Sequence, residues 1–219
     1  FLLSTSQSYW SDEVDGKDIT LGGAAGEIPD WDSRNIYVNF GDTTNVTLTA
    51  DGNKLSALTG YAAATAKSML GIGATDTITV PELVEWLYGR DVGDADGDGD
   101  VTETRQDMGD PLHARPIVLV YGGTAADPDV NDATLFVPTN DGFLHAIDTV
   151  EGTEQWAFIP EPLLQRARDL YENGDIDPEE RDYGLDANVR LLIFDTNGNG
   201  VIEPDDQDGM RDKAYLFFG

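Results

Sequence analysis

The stretch Leu135-Phe-Val-Pro-Thr-Asn-Asp-Gly-Phe-Leu-His-Ala-Ile-Asp148 carries the first decision about the fold. Two apolar runs, 134–138 and 143–147, flank Asn140-Asp-Gly142, a turn sequence suited to closing a β-hairpin. Outward from it, Pro116-Ile-Val-Leu-Val-Tyr121 precedes and Gln155-Trp-Ala-Phe-Ile159 follows, the latter after the turn residues Glu151-Gly152. Four short apolar runs at close spacing predict one antiparallel sheet.

Such a sheet has the size of one blade of a β-propeller, and the expected fold class is mainly β, a propeller fragment with short inserted helices. A strand pair at 189–194 and 214–218 and a helix at 161–172 extend the pattern. Before residue 90 the reading is mixed, with one strand at 35–40. Leu55, Leu58, Ala62, Ala66 and Met69 predict a helix over 54–70. A second helix is expected from Thr79 to Gly89, with Pro81 near its start and glycine at its end. The predicted organisation is therefore a glycine-rich and helical region, 1–90, leading into the first blades, 91–219. Phe1 without an initiator Met, and an apolar strand ending at Gly219, read as a piece of a longer chain.

The chain has 219 residues, with 13 Lys+Arg against 42 Asp+Glu, a net charge of −29. That charge repels nucleic acid and anionic lipid and selects cations as partners. There is no cysteine, so disulfides, thiolate metal sites and cysteine nucleophiles are excluded. No segment reaches the ~18 apolar residues of a membrane span.

The carboxylates concentrate in two glycine-rich loops. Asp195-Thr-Asn-Gly-Asn-Gly-Val-Ile-Glu-Pro-Asp-Asp206 places oxygen donors at positions 1, 3 and 5 (Asp195, Asn197, Asn199) of a twelve-residue calcium loop. Gly200 supplies the turn at 6, Val201 a carbonyl at 7, Ile202 an apolar anchor at 8 and Glu203 a ligand at 9. Asp206 closes the loop at 12 with a shorter arm than the usual Glu. The earlier loop is less regular. Counted from Asp94, it offers Asp94, Asp96 and Asp98 with Gly99 at position 6, but Arg105 at 12. Counted from Asp96, it offers Asp96, Asp98 and Asp100 with Asp107 at 12, but Val101 where glycine belongs. The Asp94 frame, closed by Glu103 or Asp107, keeps the stricter glycine requirement. The bland reading of both loops is a solvated turn that holds no ion. A third acidic stretch, 175–182, lacks the glycine turn and reads as a charged loop.

Met108-Gly-Asp-Pro-Leu-His-Ala-Arg-Pro116, the 135–148 run and Gln155-Trp-Ala-Phe-Ile-Pro160, flanked by the two acidic loops, resemble the β-propeller domain of PilC/PilY type IV pilus tip proteins. The resemblance covers about residues 80–219. It implies a cell-surface, pilus-associated protein exported through the periplasm, acting in pilus biogenesis, twitching motility and adhesion. It implies Ca2+ at Asp195, Asn197, Asn199, Val201, Glu203 and Asp206, and minor pilins as partners. The remainder of its own chain, or another copy, is expected to complete the sheet; the surface target is left open. A structural calcium module of an extracellular filament or matrix is the alternative.

An enzyme is the weaker reading. Residues 146–156 resemble the tryptophan-docking repeat of quinoprotein propellers, but that repeat occurs once. His113 and His145, the only histidines, read as structural, and no nucleophile elbow, zincin or phosphate-loop motif is present. No catalytic residue is assigned.

Overall fold

The computed structural model describes residues 3–11, 13–16, 22–41, 47–173, 183–202 and 212–219. The predicted meander is there: β2 (Ile117–Gly123), β3 (Pro128–Pro138), β4 (Leu144–Asp148) and β5 (Glu154–Ile159) pair in sequence, each antiparallel to the next. The 139–143 turn is closed by Gly142 N–H donating to Thr139 O (3.0 Å), with Gly142 at φ 104°. β3 starts six residues before the run that the sequence marks. Its Pro128–Asp132 extension is exposed and has Val130 as its single aliphatic residue, so no apolar run announces it.

The mainly-β propeller-fragment expectation is overturned. Among the described residues the fold is a small mixed α/β one, with seven strands in two sheets and no closed sheet. A short helix, α1 (Gly23–Gly26), comes first, then β1 (Ile36–Val38). β1 adds parallel to β5, giving the order β1-β5-β4-β3-β2. A blade is an antiparallel four-stranded unit. Here the meander's edge is taken instead by a strand whose residues pair with partners 121 positions later, and a parallel pair needs a long crossover of the kind that residues 39–153 supply.

Side chains alternate across the sheet, so each face collects its own core. Ile36, Val38, Phe143, Ala157 and Ile159 face the helices α2 (Ala63–Met69), α3 (Val80–Leu87) and α4 (Ala167–Glu172), meeting Leu58, Leu70, Leu83 and Leu164. On the other face Phe136, Leu144, Ala146 and Trp156 meet the hairpin β6 (Arg190–Phe194) and β7 (Lys213–Phe217) through Leu191, Ala214 and Leu216.

Two predicted helices are divided. Residues 54–70 form a 3-10 helix (Leu55–Gly60) and then α2, because Tyr61 and Ala62 take extended ψ values of 160° and 132°. Residues 161–172 likewise begin as a 3-10 helix before α4. α3 matches its signals. Thr79 accepts from Glu82 N, and the Glu82 carboxylate accepts from Thr79 N at 2.9 Å, a complete capping box.

Candidate metal centre

α3 runs directly into the first acidic loop. Gly89 turns the chain at φ 101°, and a short ladder then draws the loop's two ends together. Asp91 N–H donates to Glu103 O (3.0 Å) and Arg105 N–H to Gly89 O (2.7 Å), around an Arg90–Thr104 bridge. Trp31 holds the returning strand from outside, its indole N–H donating to Thr102 O at 2.9 Å and its backbone N–H to Thr104 Oγ1 at 3.0 Å. Arg90 lies over the Trp31 ring and donates from Nε to Val101 O.

Within that frame the side-chain oxygens cap the loop's own amides in a fixed order. Asp94 accepts from Gly99 N (3.0 Å), Asp96 from Asp98 N (3.1 Å) and Asp98 from Asp100 N (2.7 Å). Counted from Asp94 these are links 1←6, 3←5 and 5←7. The second loop repeats them: Asp195 accepts from Gly200 N (2.7 Å), Asn197 from Asn199 N (2.9 Å) and Asn199 from Val201 N (2.8 Å). The sixth residues, Gly99 and Gly200, have φ of 90° and 84°, the left-handed region that glycine enters without strain. Counted from Asp94, the first loop therefore shares the capping pattern of the second.

The loop gathers ligand atoms in two overlapping groups, Asp91–Asp94–Asp96 and Asp96–Asp98–Glu103, each with its oxygens within 4.8 Å of one another. Asp91 was not among the sequence candidates. It is 2% exposed, accepts from Ala95 N, and stands three residues ahead of the loop's first position, where the twelve-residue template has no entry. Asp100 and Asp107 are not in these groups. Asp100 accepts from Thr102 N and Oγ1, which hold its carboxyl below the usual range. Asp107 lies beyond the closing ladder and pairs with Arg105 at 2.8 Å. Arg105, in the twelfth position, turns away from the carboxylates onto the Trp86 ring at 4.6 Å and donates to Trp86 O.

Glu103 records the crowding. Desolvation, and then the charges of Asp98, Asp96, Asp100 and Asp91, push its carboxyl above the usual range. A cation among these oxygens would reverse that repulsion. The set is all oxygen, several of them carboxylate. That suits Ca2+, which takes six to eight oxygens at about 2.3–2.6 Å, better than Mg2+ with its strict octahedron.

The second loop is fastened to the five-stranded sheet. Ile202 N–H donates to Tyr121 O (2.8 Å), a backbone tie between the loop's eighth residue and β2. Asp212, 8% exposed at the start of β7, accepts from Thr196 N and Oγ1 across the hairpin. Glu203 and Asp206, the expected ninth and twelfth ligands, lie outside the described residues, as does the 175–182 stretch.

The two histidines stand apart from both loops. His113 pairs at the surface with Asp186, at 2.8 Å. His145 is buried in β4, its Nδ1 2.6 Å from Glu154. Compared with known proteins, the chain matches no family model, no curated protein and no solved structure.

Proposed function

We propose that this chain is the calcium-binding portion of a type IV pilus tip or assembly protein, exported to the cell surface and acting in pilus biogenesis, motility and attachment. The observation that carries the calcium reading is the 1←6, 3←5, 5←7 register held in common by two loops a hundred residues apart. The shared spacing of Asp, Asn and Gly places donor oxygens at the same loop positions in both. The pilus assignment rests on the ordered motifs at 108–116, 135–148 and 155–160 alone, and the propeller fold is not retained.

In this reading Asp91, Asp94, Asp96, Asp98 and Glu103 hold one Ca2+, and Asp195, Asn197, Asn199 and Val201, with Glu203 and Asp206, hold another. Bound calcium supplies charge compensation. The first loop then fixes the end of α3 against Trp31, and the second fixes the β6–β7 connection against β2. The protein's role is structural and adhesive, without catalysis; minor pilins and further copies or segments of the protein are its partners.

Thermal melting of the full chain with calcium, with magnesium and with chelator tests the first half. Calcium is expected to raise Tm, and an unchanged melt would refute it. For the second half, cells expressing a double Asp94→Ala, Asp195→Ala variant are expected to lose surface pili or twitching at normal protein levels. Full piliation with the variant would sink the pilus assignment while leaving calcium binding intact.

A further inference from the structure

The β6–β7 hairpin lays one face on the five-stranded sheet through Leu191, Ala214 and Leu216. The alternate residues, Arg190, Leu192 and Phe194 on β6 with Lys213, Tyr215 and Phe217 on β7, are all exposed. Leu192, Phe194, Tyr215 and Phe217 are between 44% and 55% exposed, and the Phe194 and Tyr215 rings meet edge to face at 5.9 Å. We infer that this outer face is an interface between two copies of the chain, packed sheet on sheet about a two-fold axis.

The strand register argues for a second copy. Arg190 pairs with Phe217, Leu192 with Tyr215 and Phe194 with Lys213. The face is therefore three rows: Leu192 and Tyr215 in the middle, and a cation beside a phenyl ring in each outer row. The two cations stand at opposite corners. A two-fold axis lying in the interface along the strands sets Arg190 over the second copy's Phe217, and Lys213 over its Phe194. An axis across the strands sets Arg190 over Phe194, and Lys213 over Phe217. Either way each cation meets a ring and never another cation, while the middle row meets itself. Packed sheets keep their strands within about 30° of each other, so the correspondence survives their twist. A cation over an aromatic face is an attractive contact that strengthens as water is excluded.

Charge and area fit the same occupant. The chain carries 42 Asp+Glu against 13 Lys+Arg, yet this face holds no carboxylate. Neither Arg190 nor Lys213 has an ion-pair partner among the described residues. The rings of a second copy supply those partners without burying a carboxylate. The six side chains offer about 600 Å² per copy, so a symmetric pair hides about 1,200 Å², the lower end of the range for specific interfaces. The opposing term is the charge of −29 on each copy, which salt screens. Neither the calcium nor the pilus reading is needed for this contact.

Sedimentation equilibrium of the full chain is expected to show a monomer–dimer equilibrium that tightens between about 0.15 and about 1 M salt, as the screening length falls from about 8 to about 3 Å. Phe194→Ser, Phe217→Ser and Lys213→Glu are each expected to weaken it at least about tenfold. Their circular dichroism should stay native, because these side chains are exposed. Cross-linking reads the axis, since the chain has no cysteine of its own. The reagent is a short bis-maleimide, because facing sheets lie about 10 Å apart, too far for a disulfide. Leu192→Cys cross-links by itself if the axis runs across the strands, and only when mixed with Tyr215→Cys if it runs along them. Val150→Cys, 51% exposed on the β4–β5 turn, is expected to give no dimer. A monomer at every concentration, a dimer that salt dissociates, a dimer indifferent to Phe194→Ser and Phe217→Ser, or no cross-link in either arrangement would overturn the proposal.

Discussion

Arg34, two residues before β1, donates to both carboxylate oxygens of Glu154 at the start of β5, with side chains 6% and 3% exposed. The bond joins positions 120 residues apart, at the same seam where β1 pairs parallel with β5. A third member, His145, contacts Glu154 from β4, and Arg34 also donates to Tyr88 O at the end of α3. One buried carboxylate thus ties the parallel strand, the meander and the helix layer together.

Arg34→Met is expected to destabilise the protein by about 3–5 kcal/mol, because it leaves a buried carboxylate with half of its compensation removed. Chemical denaturation at neutral pH checks this. A loss below about 1 kcal/mol would mean that His145 alone satisfies Glu154.

The same cluster predicts an acid limb. Burial pushes Glu154 up, but the His145 hydrogen bond and the Arg34 charge outweigh it and hold the carboxyl at about 2, against 4.5 ordinarily. A depressed folded-state pKa contributes stability that is complete above the ordinary value and fades as pH falls from 4.5 through about 2. Glu154→Gln should flatten that limb in a plot of stability against pH. An acid limb of unaltered steepness would assign it to other carboxylates.

Calcium at a hundred times its Kd should stabilise the chain by about 2.7 kcal/mol for each loop that binds. Asp94→Ala and Asp195→Ala are each expected to remove one part of the response, and the double variant nearly all of it. Differential scanning calorimetry separates the contributions. If both single variants keep the full calcium shift, the ligand assignments fail.

Glu103 gives a pH-dependent test of the loop in chelator. Its carboxyl is raised by desolvation and neighbouring carboxylates, so in chelator the folded state loses stability as pH rises through that raised value. Calcium should cancel the loss. Glu103→Gln is expected to raise Tm in chelator at neutral pH and to shrink the calcium response. A variant that melts lower in chelator would show that repulsion at this loop is not felt.

Gly200→Ala probes the docking of the second loop. Its φ is 84°, and an added Cβ would lie 2.3 Å from Ala125 N, so both backbone strain and contact with the β2–β3 turn oppose it. A cost of about 1–3 kcal/mol is expected, with the Tyr121–Ile202 hydrogen bond lost from amide-exchange protection. Gly198, at φ 71° with open space around it, should cost less on the same substitution. Equal effects at the two positions would argue against docking.

What the sequence by itself determined is local. The alternation in 134–147 and the Asn140-Asp-Gly142 turn specify a meander, because strand period and turn chemistry act over a few residues. The spacing of Asp, Asn and Gly at 94–99 and 195–200 specifies which side chain caps which amide, for the same reason. Tertiary structure alone decided what lies beyond that range. The meander's edge carries no mark of its partner, so a blade was expected where β1 pairs instead. Asp91 joins the acidic group, and Asp107 leaves it, because the Gly89–Arg105 hydrogen bond sets where the loop closes, a choice made by packing against Trp31 and Trp86 and not by spacing.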